Sequence, residues 1–482
     1  MKGFIKDATI YGVGSVVSRF AGVITAPVYT RYLTTAEYGE FDLALSIAAI
    51  LGIFLMMEMQ SGYGRSYYEA KSISELTKLR GSVLIFYAVL FSLVLIVFVV
   101  LSPVIETYFN VVSVDLLWPL LARAFPAALI SLLMVTLRFE KKPILFSFLA
   151  IANLFLTAFS GVFVVSILGF KIEGILWSNA IVSMVVCLLS FIFYHSYWRF
   201  EINFSYLKEL IKYSLPILPA TLSGWINQYI GRIFIAGSLS LSLLGIYSIA
   251  LKVGLIMTLS VTAFKQAWTP LANQFMSQGK TERQFAKMLN DYLMIFFLLL
   301  VLIVTASPVL VKLLAPEEYY LAVSFVGLIA LANMWDGVTV IVASGNNWVR
   351  KTYYNMIGSI AAAIVSLTFL YFYIENGGLL IVAVTLSVVS IIKTIINYFT
   401  AQHNHRIPYS ISRISLFLII SSSYAMGSYF LFENVENWVI NSLVLFLIGV
   451  FLLFLLERFL YHGSIRARAM KLINQYRIKT RI

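Results

Sequence analysis

The 482 residues are 60% hydrophobic and only 12% charged, with a formal net charge of +13. A soluble globular domain carries roughly 25% charged residues, so this composition excludes one and points to a chain crossing a bilayer many times. With one cysteine, Cys187, no intrachain disulfide forms, and the four histidines lack the spacing of a zinc site.

Read in chain order, apolar runs of about 20 residues, the length that crosses a bilayer, fall at about 8–30, 42–64, 81–102, 117–137, 144–168 and 174–197. A second set falls at about 213–236, 241–263, 288–311, 320–344, 352–374, 378–400, 411–432 and 438–461. The predicted fold class is an all-α polytopic membrane protein of about 14 transmembrane helices, two six-helix lobes plus two C-terminal helices. The lobes are expected at residues 1–200 and 201–405, and 406–482 holds the extra helices and a basic tail. The first run holds Arg19 near its middle and lacks a clear cleavage site, so it is expected to be retained rather than removed as a signal peptide. Residues 199–212 and 277–290 mix charges with apolar positions at helical spacing and are expected as short interfacial helices or solvated connectors.

With the amino terminus in the cytoplasm, most of the 35 lysines and arginines fall on the cytoplasmic side, and external loops carry mainly acids such as Glu37, Glu106, Glu317 and Glu433. Both termini are therefore expected inside. The basic tail follows directly on an apolar run and is expected to lie against anionic headgroups, which accounts for the net charge without nucleic acid.

Charges within the runs are the functional signal, because each costs about 2.5–3.5 kcal/mol at a helix centre on insertion scales. The candidate cavity cations are Arg19, Arg123, Arg232 and Lys252. Arg19 shares a face with the small residues Gly12, Ser15, Gly22 and Ala26. Arg123 and Arg232 either face a cavity or snorkel to the external interface, whereas Lys252 lies near the middle of its span. Lys393 is expected to snorkel inward. Glu58 and Asp336 are expected either to pair with a buried cation or to bind a proton or sodium ion whose gradient resets a carrier. No metal site and no bound cofactor are expected.

Gly39 with Phe41 and Ala44-Leu45 is echoed by Gly245 with Tyr247 and Ala250-Leu251, and Gly174-Ile175-Leu176 by Gly378-Leu379-Leu380. Spacings a little over 200 residues suggest a duplicated six-helix unit in parallel orientation. Gly12-Val13-Gly14-Ser15 with Arg19, Leu33-Thr34-Thr35-Ala36-Glu37-Tyr38-Gly39, Tyr213-Ser214-Leu215-Pro216-Ile217-Leu218-Pro219 and Leu314-Ala315-Pro316-Glu317-Glu318-Tyr319 follow in order. In these motifs the chain resembles the multidrug/oligosaccharidyl-lipid/polysaccharide exporter superfamily, and within it the Wzx-type flippases for lipid-linked oligosaccharides. One departure is Gly231 before Arg232, where many relatives carry an acid, so a cation-coupling role for such an acid does not carry over.

The resemblance implies a bacterial cytoplasmic (inner) membrane protein whose cargo is a lipid-linked oligosaccharide, with undecaprenyl diphosphate as the lipid. Beyond membrane lipids it implies a polysaccharide polymerase and a chain-length regulator as partners, and export of O-antigen, capsule or exopolysaccharide. Guanidinium forks fit phosphate oxygens, so the expected mechanism is alternating access with a cationic central cavity. The readings left open are a multidrug or cation antiporter of the same superfamily and a polysaccharide polymerase-type membrane enzyme. About five interior cations against two acids favour an anionic cargo. No nucleotide-binding loop is present in the sequence.

Overall fold

The structure, a computed structural model, describes residues 21–108, 113–194, 201–279, 282–433 and 437–461. Among these residues the helices are α1 (Ala21–Tyr32), α2 (Thr35–Met56), α3 (Met59–Glu69), α4 (Ile73–Tyr108), α5 (Leu117–Phe139), α6 (Pro143–Ser166), α7 (Ile172–Phe193) and α8 (Phe204–Ser214). They continue as α9 (Leu218–Phe234), α10 (Leu241–Gln278), α11 (Glu282–Leu314), α12 (Ala322–Val342), α13 (Ser344–Trp348), α14 (Tyr353–Asn404), α15 (Ile411–Phe432) and α16 (Trp438–Tyr461). No strand occurs among the described residues, and the all-α polytopic class stands.

Among the described residues, eleven helical segments are long and apolar enough to cross a membrane, so the count of 14 is not reproduced there by length and composition alone. Two local features lower it among the described residues. The expected runs at 352–374 and 378–400 lie in one 52-residue helical stretch, interrupted only at Gly378. The seventh run shortens to the 17 residues of α9, because Pro216 and Pro219 open new helical turns instead of kinking one span. Proline is well placed there, where its missing N–H leaves no bond unmade. The first run begins outside the described residues.

The run expected at 42–64 is also broken. Met57 (φ 41°) and Glu58 (φ 56°) are both left-handed and separate α2 from α3. Each such non-glycine residue costs about 1–2 kcal/mol. The Met57 N–H still donates to Ile53 O at 2.8 Å, and the Ser61 N–H to Glu58 O at 2.9 Å, so the turn leaves those backbone groups satisfied. Of the two expected interfacial helices, the first is α8, whose Leu210 and Ser214 are buried against the Gly62 face of α3. The second does not form separately, since its residues are divided between the ends of α10 and α11.

The chain divides into two compact units. The first holds the described part of Met1–Ile249 with Leu314–Tyr319 and Ala363–Val382. Its core joins Leu55, Tyr63 and Tyr87 to Leu129, Leu133 and Phe146. Exposed Val89, Leu93, Ile96 and Val100 give α4 the apolar face that lipid requires. The second unit holds the described parts of Ala250–Leu313, Tyr320–Ala362 and Ala383–Ile482. Its central element is α12, buried along almost its whole length and packed on α15.

Candidate functional site

The first unit contains a cavity of about 500 Å³ between α2 and α5. Leu45, Ala48, Ala49, Gly52, Ile53 and Met56 supply one wall at helical spacing, and Leu120, Arg123, Ala124 and Ala127 supply the other. The small residues on α2 and α5 leave the room. Glu58 and Gln60 close the end at the α2–α3 break, so the strained turn places a carboxylate where a continuous helix would have carried its ladder onward.

Arg123 and Glu58 are thus the two sequence-predicted residues brought to one cavity. No carboxylate pairs with Arg123 among the described residues. Glu58 is satisfied by hydroxyls rather than by a cation: Ser61 Oγ donates to Oε2 and Thr221 Oγ1 to Oε1, each at 2.7 Å. Gln60 Nε2 donates to Ser131 Oγ at 2.7 Å, which ties α3 to α5 beside the same opening.

Arg232 does not line this cavity. Its Nε lies 2.8 Å from Asp42 Oδ2, with both side chains largely buried. The contact is one of charge rather than an aligned hydrogen bond, since the N–H is not aimed at that oxygen. The guanidinium also lies over the Tyr229 ring at 4.6 Å and reaches Ser46 Oγ at 3.5 Å. Stranding one member of a buried pair costs about 3–5 kcal/mol. The buried Asp42 adds a third carboxylate to the interior, which corrects the expected ratio of five cations to two acids. The signal was present, because Asp42 is the one ionisable residue between Phe41 and Ala44-Leu45 of the repeated motif. It also supplies, from α2, the acid missing before Arg232. Gly231 has no room for one, since a Cβ there would meet Val382 Cγ1 at 2.8 Å.

Lys252 and Asp336 lie in the second unit. Lys252 is partly buried on α10, one turn beyond the buried Ser248. Asp336 on α12 accepts from Lys393 Nζ at 2.7 Å, so Lys393 is tied to α12 by an ion pair and does not snorkel free. Thr339 and Thr394 share a 2.7 Å hydrogen bond one turn along the same interface. Arg19 lies outside the described residues.

Apolar helices of membrane-spanning length, with a cavity lined by an arginine and a carboxylate in the first unit, define an all-α polytopic membrane protein. The chain belongs to the polysaccharide biosynthesis protein family, whose model matches residues 4–276. It is 22% identical over 353 residues to Lsg locus putative protein 1 of Haemophilus influenzae, spanning 68% of this chain and 79% of that one. Among solved structures it is similar to the lipid II flippase MurJ in its inward closed conformation. The TM-score is 0.67 at 14% identity, over 95% of this chain and 100% of the other. It is also similar to a multidrug resistance MATE family transporter of the MOP superfamily in its outward-facing conformation, with TM-score 0.56, 14% identity and coverage of 87% and 96%. The fold is that of the multidrug/oligosaccharidyl-lipid/polysaccharide exporter superfamily, as the sequence resemblance implied.

Proposed function

We propose that this protein is a flippase that moves a lipid diphosphate-linked oligosaccharide across the bacterial cytoplasmic membrane during surface polysaccharide synthesis. The observation that carries the reading is Arg123, which opens onto the 500 Å³ cavity with no carboxylate partner among the described residues. A guanidinium in a low-dielectric hollow attracts phosphate oxygens in bidentate fashion. Arg19 is proposed as a further cation of this phosphate seat, and Lys252, in the second unit, as a separate cation for the cargo. Arg232 and Asp336 are held in pairs and would serve it only by exchanging partners. The undecaprenyl chain would stay in hydrocarbon, gaining about 0.8 kcal/mol per buried methylene, while the duplicated halves 1–200 and 201–405 alternate access. A proton or sodium gradient is proposed to reset the cycle, and a polymerase with its chain-length regulator to take up the product.

The test is export of surface polymer by cells whose own flippase is deleted. Arg123→Ala should reduce polymer roughly a hundredfold, the consequence of about 2.7 kcal/mol lost at one charge-assisted contact, at unchanged membrane protein level. Arg123→Lys should keep part of it. Normal polymer with Arg123→Ala removes the anionic seat. The cavity carboxylate Glu58 favours the cation antiporter as the second reading, which requires cationic dye efflux that Glu58→Gln abolishes.

A further inference from the structure

The echoed motifs of the two halves touch. At a constant offset of 206 residues, Thr34 corresponds to Ser240, Gly39 to Gly245 and Phe41 to Tyr247. Thr34 Oγ1 accepts from the Glu37 N–H at 3.2 Å, and Ser240 Oγ from the Leu243 N–H at 3.2 Å, so both helices are capped at the matching residue. A Cβ on Gly39 would strike the Leu241 carbonyl oxygen and lie 2.8 Å from Gly245 N. A Cβ on Gly245 would strike the Thr35 carbonyl oxygen and lie 3.2 Å from Gly39 N. The contact is reciprocal and made by backbone, as small-residue helix crossings in membranes are.

The polar contact beside it is not reciprocal. Asp42 has buried Ser248 at its matching position, and Arg232 has buried Ala26. Only one half supplies the acid and only the other the base. Glycine crossings rest on short-range dispersion and separate readily, whereas a buried ion pair cannot part until water or another partner reaches each charge. One turn beyond Asp42 on α2 begins the Leu45, Ala49 and Gly52 wall of the cavity.

We propose that Asp42 is a positioning residue of the transport cycle: its ion pair with Arg232 of α9 latches the neighbouring Gly39–Gly245 crossing of α2 on α10, and the pair parts each time α2 separates from α9 and α10. The proposal rests on transport by alternating access but not on the identity of the cargo. Its test therefore reads access to the cavity without cargo. Ala49→Cys, about 10 Å along the helix from Asp42, is introduced into the full chain with Cys187→Ser. Reaction with a membrane-impermeant maleimide is followed separately in right-side-out and inside-out vesicles. Asp42→Asn and Arg232→Gln should each raise labelling roughly tenfold from the face at which α2 begins. The double variant should equal either single one, because both remove the same contact, and Arg232→Lys should label like the starting protein. Unchanged labelling in the folded single variants, or additive increases in the double variant, overturns the latch. A fall in melting temperature without face-specific labelling assigns the pair a structural role and overturns it equally. A flippase assay that fails while labelling shifts as expected would reject the cargo and leave the latch standing.

Discussion

Thr221 and Ser61 decide how Glu58 is held, and neither is a charge. Hydrogen bonds to an ionised group contribute about 1.5–3 kcal/mol, against 0.5–1.5 for neutral pairs. Thr221→Val should therefore destabilise the protein by about 1.5–3 kcal/mol, and by about 0.5–1.5 in a Glu58→Gln background. Melting in detergent for the four proteins of this double-mutant cycle reads both numbers, and equal costs would show that Thr221 and Glu58 are not coupled. The sequence marked Glu58 as a charge within an apolar run and gave no sign of Thr221 as its partner. It did not join them, because they lie 163 residues apart and a hydroxyl gives no signal of its partner. The Asp42–Arg232 and Asp336–Lys393 pairs were hidden because their partners lie far apart in sequence, although Arg232, Asp336 and Lys393 each stood out as charges within apolar runs.

At the scale of the helix, composition carried almost everything except the breaks. Runs expected at 411–432 and 438–461 match α15 and α16 closely, since a span must be apolar throughout and its ends are polar. The Met57–Glu58 break escaped because neither residue is glycine or proline. Gly378 is the opposite case: φ 56° and ψ −145° lie in a region essentially reserved for glycine, and no atom lies near its missing Cβ. The cost of a side chain there is purely conformational, about 1–3 kcal/mol. Gly378→Ala should lower the melting temperature accordingly. Gly427→Ala, in the regular helix α15 and equally unobstructed, should raise stability by up to about 1 kcal/mol. The two variants are chemically identical, so opposite signs isolate backbone conformation as the cause.

For the whole molecule, the break at Gly378 also bears on topology. A continuous helix over the 52 residues of α14 would be about 78 Å long, more than twice the roughly 30 Å hydrocarbon core. Two spans turning at Gly378 are each about 38 Å and fit with tilt. Charge agrees: Arg350 and Lys351 precede the first, Arg406 follows the second, and Glu375 stands at the turn. The positive-inside bias predicts cytoplasmic outer ends and an external turn. The eleven spans among the described residues are odd in number, whereas the fourteen expected from the sequence return both ends to one side. Alkaline phosphatase fused after Asn376 should be active, and fusions after Arg406 and Ile482 silent, with a fluorescent protein at Ile482 bright. An inactive fusion after Asn376, or an active one at Ile482, would make α14 a single crossing and remove the even count on which the parallel duplication depends.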